Sequence, residues 1–195
     1  MGGKVKIYYG LSGTLKSTSI RKYLEYDPEA YVMWSSIKVW KNNRNLLFPW
    51  LSGETNLNYT LLHLTRLEEI NYQEDTNYII ERGVTDSLYY ESLKNQNLIT
   101  PEVIKRAVDR ESDIIGNSSK LDVHKTLMIM HDKKFIAEKV LSEKSRAECF
   151  KNPDDYLRKQ EEYVDFTKTY NKISETIDIE NAWEYLEKVL GIKPE

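Results

Sequence analysis

Lys4–Ser17 reads KVKIYYGLSGTLKS, and the order of residues within it decides the architecture expected for the chain. Lys4 to Tyr9 is a short β-prone run in which branched and aromatic residues dominate. It breaks at Gly10-Leu-Ser-Gly13, and from Lys16 to about Tyr26 the residues suit a helix. Strand, glycine loop and helix thus follow one another within 23 residues. The same alternation continues outward. Asp27-Pro28 signals a turn, Ala30 to Trp34 (AYVMW) is a second apolar run ending in Ser35 and Ser36, and Thr60 to Tyr72 carries Leu61, Leu64, Leu67 and Ile70 at helical spacing. Asn77 to Ile80 is a third strand candidate before a helical stretch from Thr85 to Lys94. Pro101 can open a helix containing Val103, Ile104 and Val108, and Gly116-Asn-Ser-Ser119 reads as a loop. Lys125 to Met130 is the fourth strand candidate, a helix is expected from about Asp154 to Tyr170, and Thr176 to Ile179 is a final short strand before Ala182 to Leu190. Parallel neighbours need crossover connections, so this pattern predicts an α/β fold: a three-layer sandwich with a parallel sheet of about five strands and helices on both faces. One domain spanning residues 1–195 is expected, with no internal repeat. Ligands of such sheets bind at the carboxyl ends of the strands, which directs attention to residues 10–18, 34–40, 81–89 and 131–146.

The segment from Gly10 to Ser17 matches the phosphate-binding pattern G-x-x-x-x-G-K-[ST] except that Leu15 stands at the second glycine. In such a loop, successive backbone N–H groups and a helix N-terminus face a phosphate. The lysine neutralises charge on the terminal phosphates and the hydroxyl ligates Mg²⁺. Gly10, Ser12, Gly13, Thr14, Leu15, Lys16, Ser17 and Thr18 are therefore the candidates for holding ATP, with Lys16 also catalytic and Ser17 on the metal. The competing reading is a glycine turn whose lysine is solvated. Leu15 restricts the backbone where glycine would be permissive.

Glu81 and Arg82 close the third strand candidate. An acidic residue there can hold water around Mg²⁺ or accept a proton, and an arginine can clamp a phosphoryl group. An isolated surface ion pair would look the same. The wider run, Glu81-Arg-Gly-Val-Thr-Asp-Ser-Leu-Tyr-Tyr90, resembles the Asp/Glu-Arg motif of the thymidylate kinase and deoxynucleoside kinase families. That resemblance implies a P-loop NTPase fold, Arg82 as the acceptor clamp and Glu81 as the acid supporting metal or acceptor. It implies a substrate site beside Asp86, Ser87 and Tyr90, although packing within a helix accounts equally well for Tyr90. Ser36-Ile-Lys-Val-Trp40, with Asn42 and Asn45, is similar to the segment after the second strand of the deoxynucleoside kinases. Serines stand here where those kinases carry a glutamate, so the acceptor base is left unassigned. Ser36 and Trp40 join the candidates for substrate binding, Trp40 either stacking on a base or packing.

Residues 132–151 contain Lys133, Lys134, Lys139, Lys144 and Arg146 at the place where those kinases carry a lid. By that resemblance Arg146 is a catalytic candidate and Lys144 a phosphate contact. Glu138, Glu143 and Glu148 intersperse these cations as on any solvated helix. Tyr156, Gln160, Tyr163, Thr167 and Tyr170 recur at helical spacing and read as a packing face. His63, His124 and His131 show no metal-ligand spacing, and only His131 falls at a strand tip.

With 28 Lys plus Arg against 31 Asp plus Glu, the chain has no global positive field, so nucleic acid would need a local patch. The single cysteine, Cys149, excludes an intramolecular disulfide and a cysteine-based zinc site. No stretch approaches the roughly 20 apolar residues of a bilayer span, and no secretory signal opens the chain, so a cytoplasmic protein without membrane partners is expected. The frequent Asn, Lys, Ile and Tyr fit AT-rich coding, as in a low-GC bacterium or a phage. The functional expectation is transfer of the γ-phosphoryl group of Mg·ATP to a deoxynucleoside monophosphate or deoxynucleoside. Two alternatives are a P-loop kinase acting on a hydroxyl of DNA, and a non-catalytic nucleotide-binding protein with a degenerate loop. The resembled families often form homodimers.

Overall fold

β1 (Lys4–Tyr9) is the middle strand of a five-stranded parallel sheet in a computed structural model that describes residues 2–36, 56–94 and 99–193. The sheet order is β2-β3-β1-β4-β5, with β2 Tyr31–Met33, β3 Tyr78–Glu81, β4 Asp122–Met130 and β5 Glu175–Ile179. Ile7 pairs with Ile80 on one side and with Lys125 on the other, and Tyr8 pairs with Glu81. Strands covered on both faces read as continuous apolar runs, and all four residues of β3 are buried.

Alternation along β1 assigns the two helical layers. Tyr9 points to the side occupied by α2 (Asn56–Glu68), α3 (Val84–Lys94), α4 (Pro101–Ser119) and α7 (Pro153–Tyr170), which pack on one another. Tyr8 points to the other side, where burial first and then Tyr185 and Tyr23 push its hydroxyl pKa up to about 12. Tyr23 lies on α1 (Lys16–Tyr26); Tyr185 lies in α8, which begins at Ala182–Glu184 and continues as the π-helical turn Tyr185–Val189. The core between the layers is built on Val5, Ile7, Tyr9, Leu11, Ile80, Leu127 and Met130, each fully buried.

Local chemistry explains several helix starts. Thr100 accepts from Val103 N–H (3.4 Å) ahead of Pro101 at the first helical position. Asn152 accepts from Asp155 N–H (2.9 Å) ahead of Pro153. Three expectations need correction. The helix placed at Thr60 to Tyr72 runs instead from Asn56 to Glu68, and Gly116–Ser119 is the last turn of α4 rather than a loop. Burial of Ile114 and Ile115 holds that turn in place, while Gly116 faces open space and costs only its intrinsic propensity. β4 starts three residues earlier than expected because Lys4 of β1 supplies a partner for Asp122.

The region following β4 forms α5 (Lys133–Phe135), which continues as the π-helical turn Ile136–Val140, and then α6 (Lys144–Ala147). Its first part, DKKFIAEKVL at 132–141, has the same design as NAWEYLEKVL at 181–190. In each, a side chain caps the first turn, Asp132 to Phe135 N–H (2.9 Å) and Asn181 to Glu184 N–H (3.1 Å), before α geometry relaxes into π. This likeness is too short to register as a sequence repeat. Asp132 also accepts from Ala182 N–H (3.0 Å), tying the two segments together. Among the described residues, no helix is long and apolar enough to cross a membrane.

A buried polar network crosses the layer beside Tyr9. Glu111 of α4, 0% exposed, accepts from Val84 N–H (2.9 Å) and pairs with His63 Nε2 (2.8 Å) through Oε1, and accepts from Tyr9 OH (3.3 Å) through Oε2. Burial alone would raise the Glu111 pKa, but His63, Lys125 and the Val84 N–H together hold it below the usual glutamate range. A carboxyl whose folded pKa is depressed stabilises the fold above its unfolded pKa and loses that contribution as pH falls through its folded value. Wild-type stability measured by urea unfolding should therefore fall as the pH drops below about 4.5, and Glu111→Gln should flatten that fall by up to about 1.4 kcal/mol per pH unit.

Candidate active site

The carboxyl ends of β1 and β3 lie side by side, so the glycine loop after β1 and the Glu81-Arg82 tip of β3 open into one cleft of about 630 Å³. It is lined by Ser12, Gly13, Thr14, Leu15, Lys16, Ser17 and Thr18 of the loop and α1, by Glu81 and Arg82 of the β3 tip, and by Val140, Glu143 and Arg146 of the 132–151 segment. Gly13 has φ +98, and a Cβ there would stand 2.7 Å from the Val140 side chain, so the loop can pass under the 132–151 segment only with glycine at this point.

Leu15 occupies the left-handed region at φ 58, ψ 13, immediately before α1. The backbone at this position thus has the conformation that a glycine would adopt without cost, and the leucine bears about 1–2 kcal/mol of strain for it. Its side chain packs against the core. Lys16 is only 4% exposed, and its Nζ donates to the carbonyls of Gly10 (2.5 Å) and Leu11 (2.7 Å) and to Thr14 Oγ1 (3.0 Å). The ammonium therefore sits inside the curve of its own loop. Ser17 donates to Glu81 Oε1, and Ser35 N–H donates to Glu81 Oε2 (3.1 Å). One buried carboxylate joins the start of α1 to the end of β2.

Arg82 also has a left-handed backbone, φ 75, and its N–H donates to Tyr8 O (2.9 Å). Its Nη1 donates to Asp86 Oδ1 (2.7 Å). Burial opposes the charge, but Asp86, then Tyr90, Tyr163 and Glu81, outweigh it and raise the Arg82 pKa, so the guanidinium stays cationic. Asp86 itself is 1% exposed and does not line the cleft; it stands behind Arg82 and orients it. Tyr90 packs against the core, its pKa pushed up to about 12 by burial against the opposing influence of Arg82.

Arg146 bridges the cleft, donating from Nε to Ser12 Oγ (3.0 Å) while Nη1 pairs with Glu143 (3.1 Å). Lys144, two residues earlier on α6, is exposed and does not line the cleft. Ser36 lies outside it too, accepting from Arg66 Nη1 (3.2 Å), which also donates to Trp34 O (2.6 Å). Arg66 was not singled out from the sequence, and burial lowers its pKa. Trp40, Asn42 and Asn45 lie outside the described residues.

Two parts of the site escaped the sequence reading. Arg21 lines the cleft and, with Lys139 of the 132–151 segment, brings the cations among the described lining residues to five (Lys16, Arg21, Arg82, Lys139, Arg146) against the carboxylates Glu81 and Glu143. The aromatic stripe of α7 packs as expected, and it also holds the loop. Tyr163 OH accepts from Gly10 N–H (2.9 Å), Tyr156 OH donates to Ser12 O (3.0 Å), and Gln160 makes two bonds to the backbone of Met130 (2.8 and 3.0 Å). Helical spacing identifies the buried face but says nothing of which hydroxyl ends at a loop. His131 pairs with Asp178 (2.7 Å) at an exposed position away from the cleft.

No group of three or more His, Cys, Asp or Glu suited to a metal occurs among the described residues. Mg²⁺ does not need one, because it is commonly held by one or two protein oxygens together with substrate phosphates. The adjacent Ser17 hydroxyl and Glu81 carboxylate fit that donor set.

No protein-family model matches the chain, and no curated protein matches it by sequence. Among solved structures, thymidylate kinase from Ehrlichia chaffeensis aligns with a TM-score of 0.53 at 16% identity, covering 98% of this chain and 100% of that one. Shikimate kinase from Bacteroides thetaiotaomicron aligns at 0.47 and 11%, covering 97% and 99%. APS kinase CysC from Mycobacterium tuberculosis, solved in complex with AMPPNP and APS, aligns at 0.40 and 19%, covering 86% and 98%. The first of these likenesses, with the five-stranded parallel sheet and its two helical layers, shows that the chain shares the three-layer α/β fold of that structure.

The strain at residue 15 is testable. Leu15→Val puts a β-branched side chain at φ 58 and should destabilise the protein by about 1–2 kcal/mol relative to Leu15→Gly in urea unfolding.

Proposed function

We propose that this protein is an ATP-dependent kinase that transfers a γ-phosphoryl group to a deoxynucleoside monophosphate or deoxynucleoside. The observation that carries the reading is the convergence of Lys16, Ser17, Glu81 and Arg82 on one cleft with a surplus of positive charge. A neutral or cationic ligand would find no complement there, whereas a polyphosphate would.

Phosphoryl transfer asks a protein for alignment and for charge placed where the transition state spreads it over the equatorial oxygens. The loop amides from Ser12 to Ser17, with the N-terminus of α1, would face the β-phosphate, and Lys16 would exchange its loop carbonyls for phosphate oxygens. Ser17 and Glu81 would hold Mg²⁺, which when bound offsets negative charge on the β and γ oxygens. Arg82 would lie between donor and acceptor, its fork aimed by Asp86. The 132–151 segment acts in this account as a lid, with Arg146 reaching Ser12 across the cleft and excluding water from it. Lys144 belongs to the lid's outer surface.

The test is product mass after incubation of the purified chain with Mg·ATP and a panel of deoxynucleosides, deoxynucleoside monophosphates and hydroxyl-terminated DNA. A phosphorylated nucleoside or nucleotide is expected, and Lys16→Ala should abolish it. Arg82→Lys keeps a charge against Asp86 but loses the planar fork, so turnover should fall at least about tenfold while Mg·ATP affinity changes less than about threefold. Product from DNA alone would replace the acceptor class, and no product from any acceptor would reject the kinase.

A further inference from the structure

Glu111 does not line the cleft, yet its carboxylate touches residues flanking two of the segments that do. Oε2 accepts from the hydroxyl of Tyr9, the residue directly before the phosphate loop. Oε1 accepts from Val84 N–H, the first residue of α3 and two beyond Arg82. Gly83 lies between these contacts, and a Cβ on it would stand 2.5 Å from the Tyr9 ring, so the ring presses directly on the Arg82-Gly83 corner. The corner carries the left-handed backbone of Arg82 and needs something rigid to hold it.

The surroundings complete the hydrogen bonding of the carboxylate. His63 of α2 pairs with Oε1 (2.8 Å). Lys125 of β4 donates to Asn171 Oδ1 (2.8 Å), which also faces Tyr9 OH (3.3 Å), and Asn171 Nδ2 donates to Thr85 Oγ1 (3.3 Å) in the first turn of α3. A buried charge is costly wherever an apolar side chain would fill the same volume. A satisfied polar network gives fixed directions in return, which apolar packing does not.

We propose that Glu111 is a positioning residue that sets the placement of Arg82 relative to the phosphate loop, acting through Val84 on one side and Tyr9 on the other. The inference rests on the kinase reading above. It separates binding of the donor, which needs the loop with Glu81 on the metal, from transfer, which needs the loop and Arg82 in register.

The experiment compares the full chain with Glu111→Gln, Tyr9→Phe, Arg82→Lys, Lys16→Ala and the Glu111→Gln/Arg82→Lys double variant. The readouts are Mg·ATP binding by calorimetry, turnover with a deoxynucleoside monophosphate mixture, and amide exchange at Val84. Glu111→Gln should lose at least about tenfold in turnover with Mg·ATP affinity held within about threefold, and Val84 should exchange faster. The double variant should be no more than about twofold slower than Arg82→Lys alone, because both changes act on one element. Wild-type turnover in Glu111→Gln, or losses that multiply in the double variant, would overturn the proposal. Should Glu111→Gln not fold, Tyr9→Phe decides: it leaves the Val84 and His63 bonds in place, and unchanged turnover there counts against the tether. Absence of Lys16-dependent turnover in the wild type rejects the kinase reading itself, and unchanged Val84 exchange in Glu111→Gln then rejects the tether separately.

Discussion

The parallel pairing of β1 with β3 is the constraint on which the rest of the site depends. Tyr8 lies opposite Glu81, and the Arg82 N–H donates to Tyr8 O at 2.9 Å, so the two strands end together and their loops turn over one edge. A slip of one residue would exchange the faces of β3 and send Glu81 away from Ser17. Apolar packing of Ile7, Ile79 and Ile80 fixes that register without any contribution from the site. The chemistry is thus mounted on a scaffold whose stability comes from elsewhere.

Lys16, Glu81 and Arg82 are tolerated at this edge because each is embedded in directional contacts. Lys16 meets two carbonyls and a hydroxyl, Glu81 a hydroxyl and an amide, and Arg82 the carboxylate of Asp86. Interactions of this kind strengthen as water is excluded, and they also make the arrangement intolerant of partial loss. The left-handed backbones of Leu15 and Arg82 both line the cleft, where surrounding contacts over-determine the chain. The hydroxyls of Tyr156 and Tyr163 perform that service for the loop, and Glu111 for the corner after Arg82.

Much of this was legible in the residues themselves. Strand, glycine loop and helix at Lys4 to Tyr26 are fixed by local propensity and by the special backbone needs of the loop, so sequence and structure agree there. The last turn of α4 was not legible, because Gly116 and its polar successors signal a break that burial of Ile114 and Ile115 overrides. The glycine loop, Glu81 and Arg82 could be named as candidates because their spacing has chemical meaning along the chain, and the fold brings them to one cleft. Arg21, Arg66 and the Glu111–His63 pair could not, since each acquires its neighbours only through the fold, with 48 residues separating His63 from Glu111. Asp86 and Lys144 show the converse limit: spacing located their helices but not the direction in which each side chain is used.

The central claim is that the loop from Gly10 to Ser17, with leucine at residue 15, holds a nucleoside triphosphate. Calorimetric titration of the purified chain with Mg·ATP, beside Lys16→Ala, tests it most directly. The account predicts one site per chain, lost or weakened at least about a hundredfold when the Lys16 ammonium is removed. Absence of binding, or binding that Lys16→Ala leaves unchanged, would contradict it.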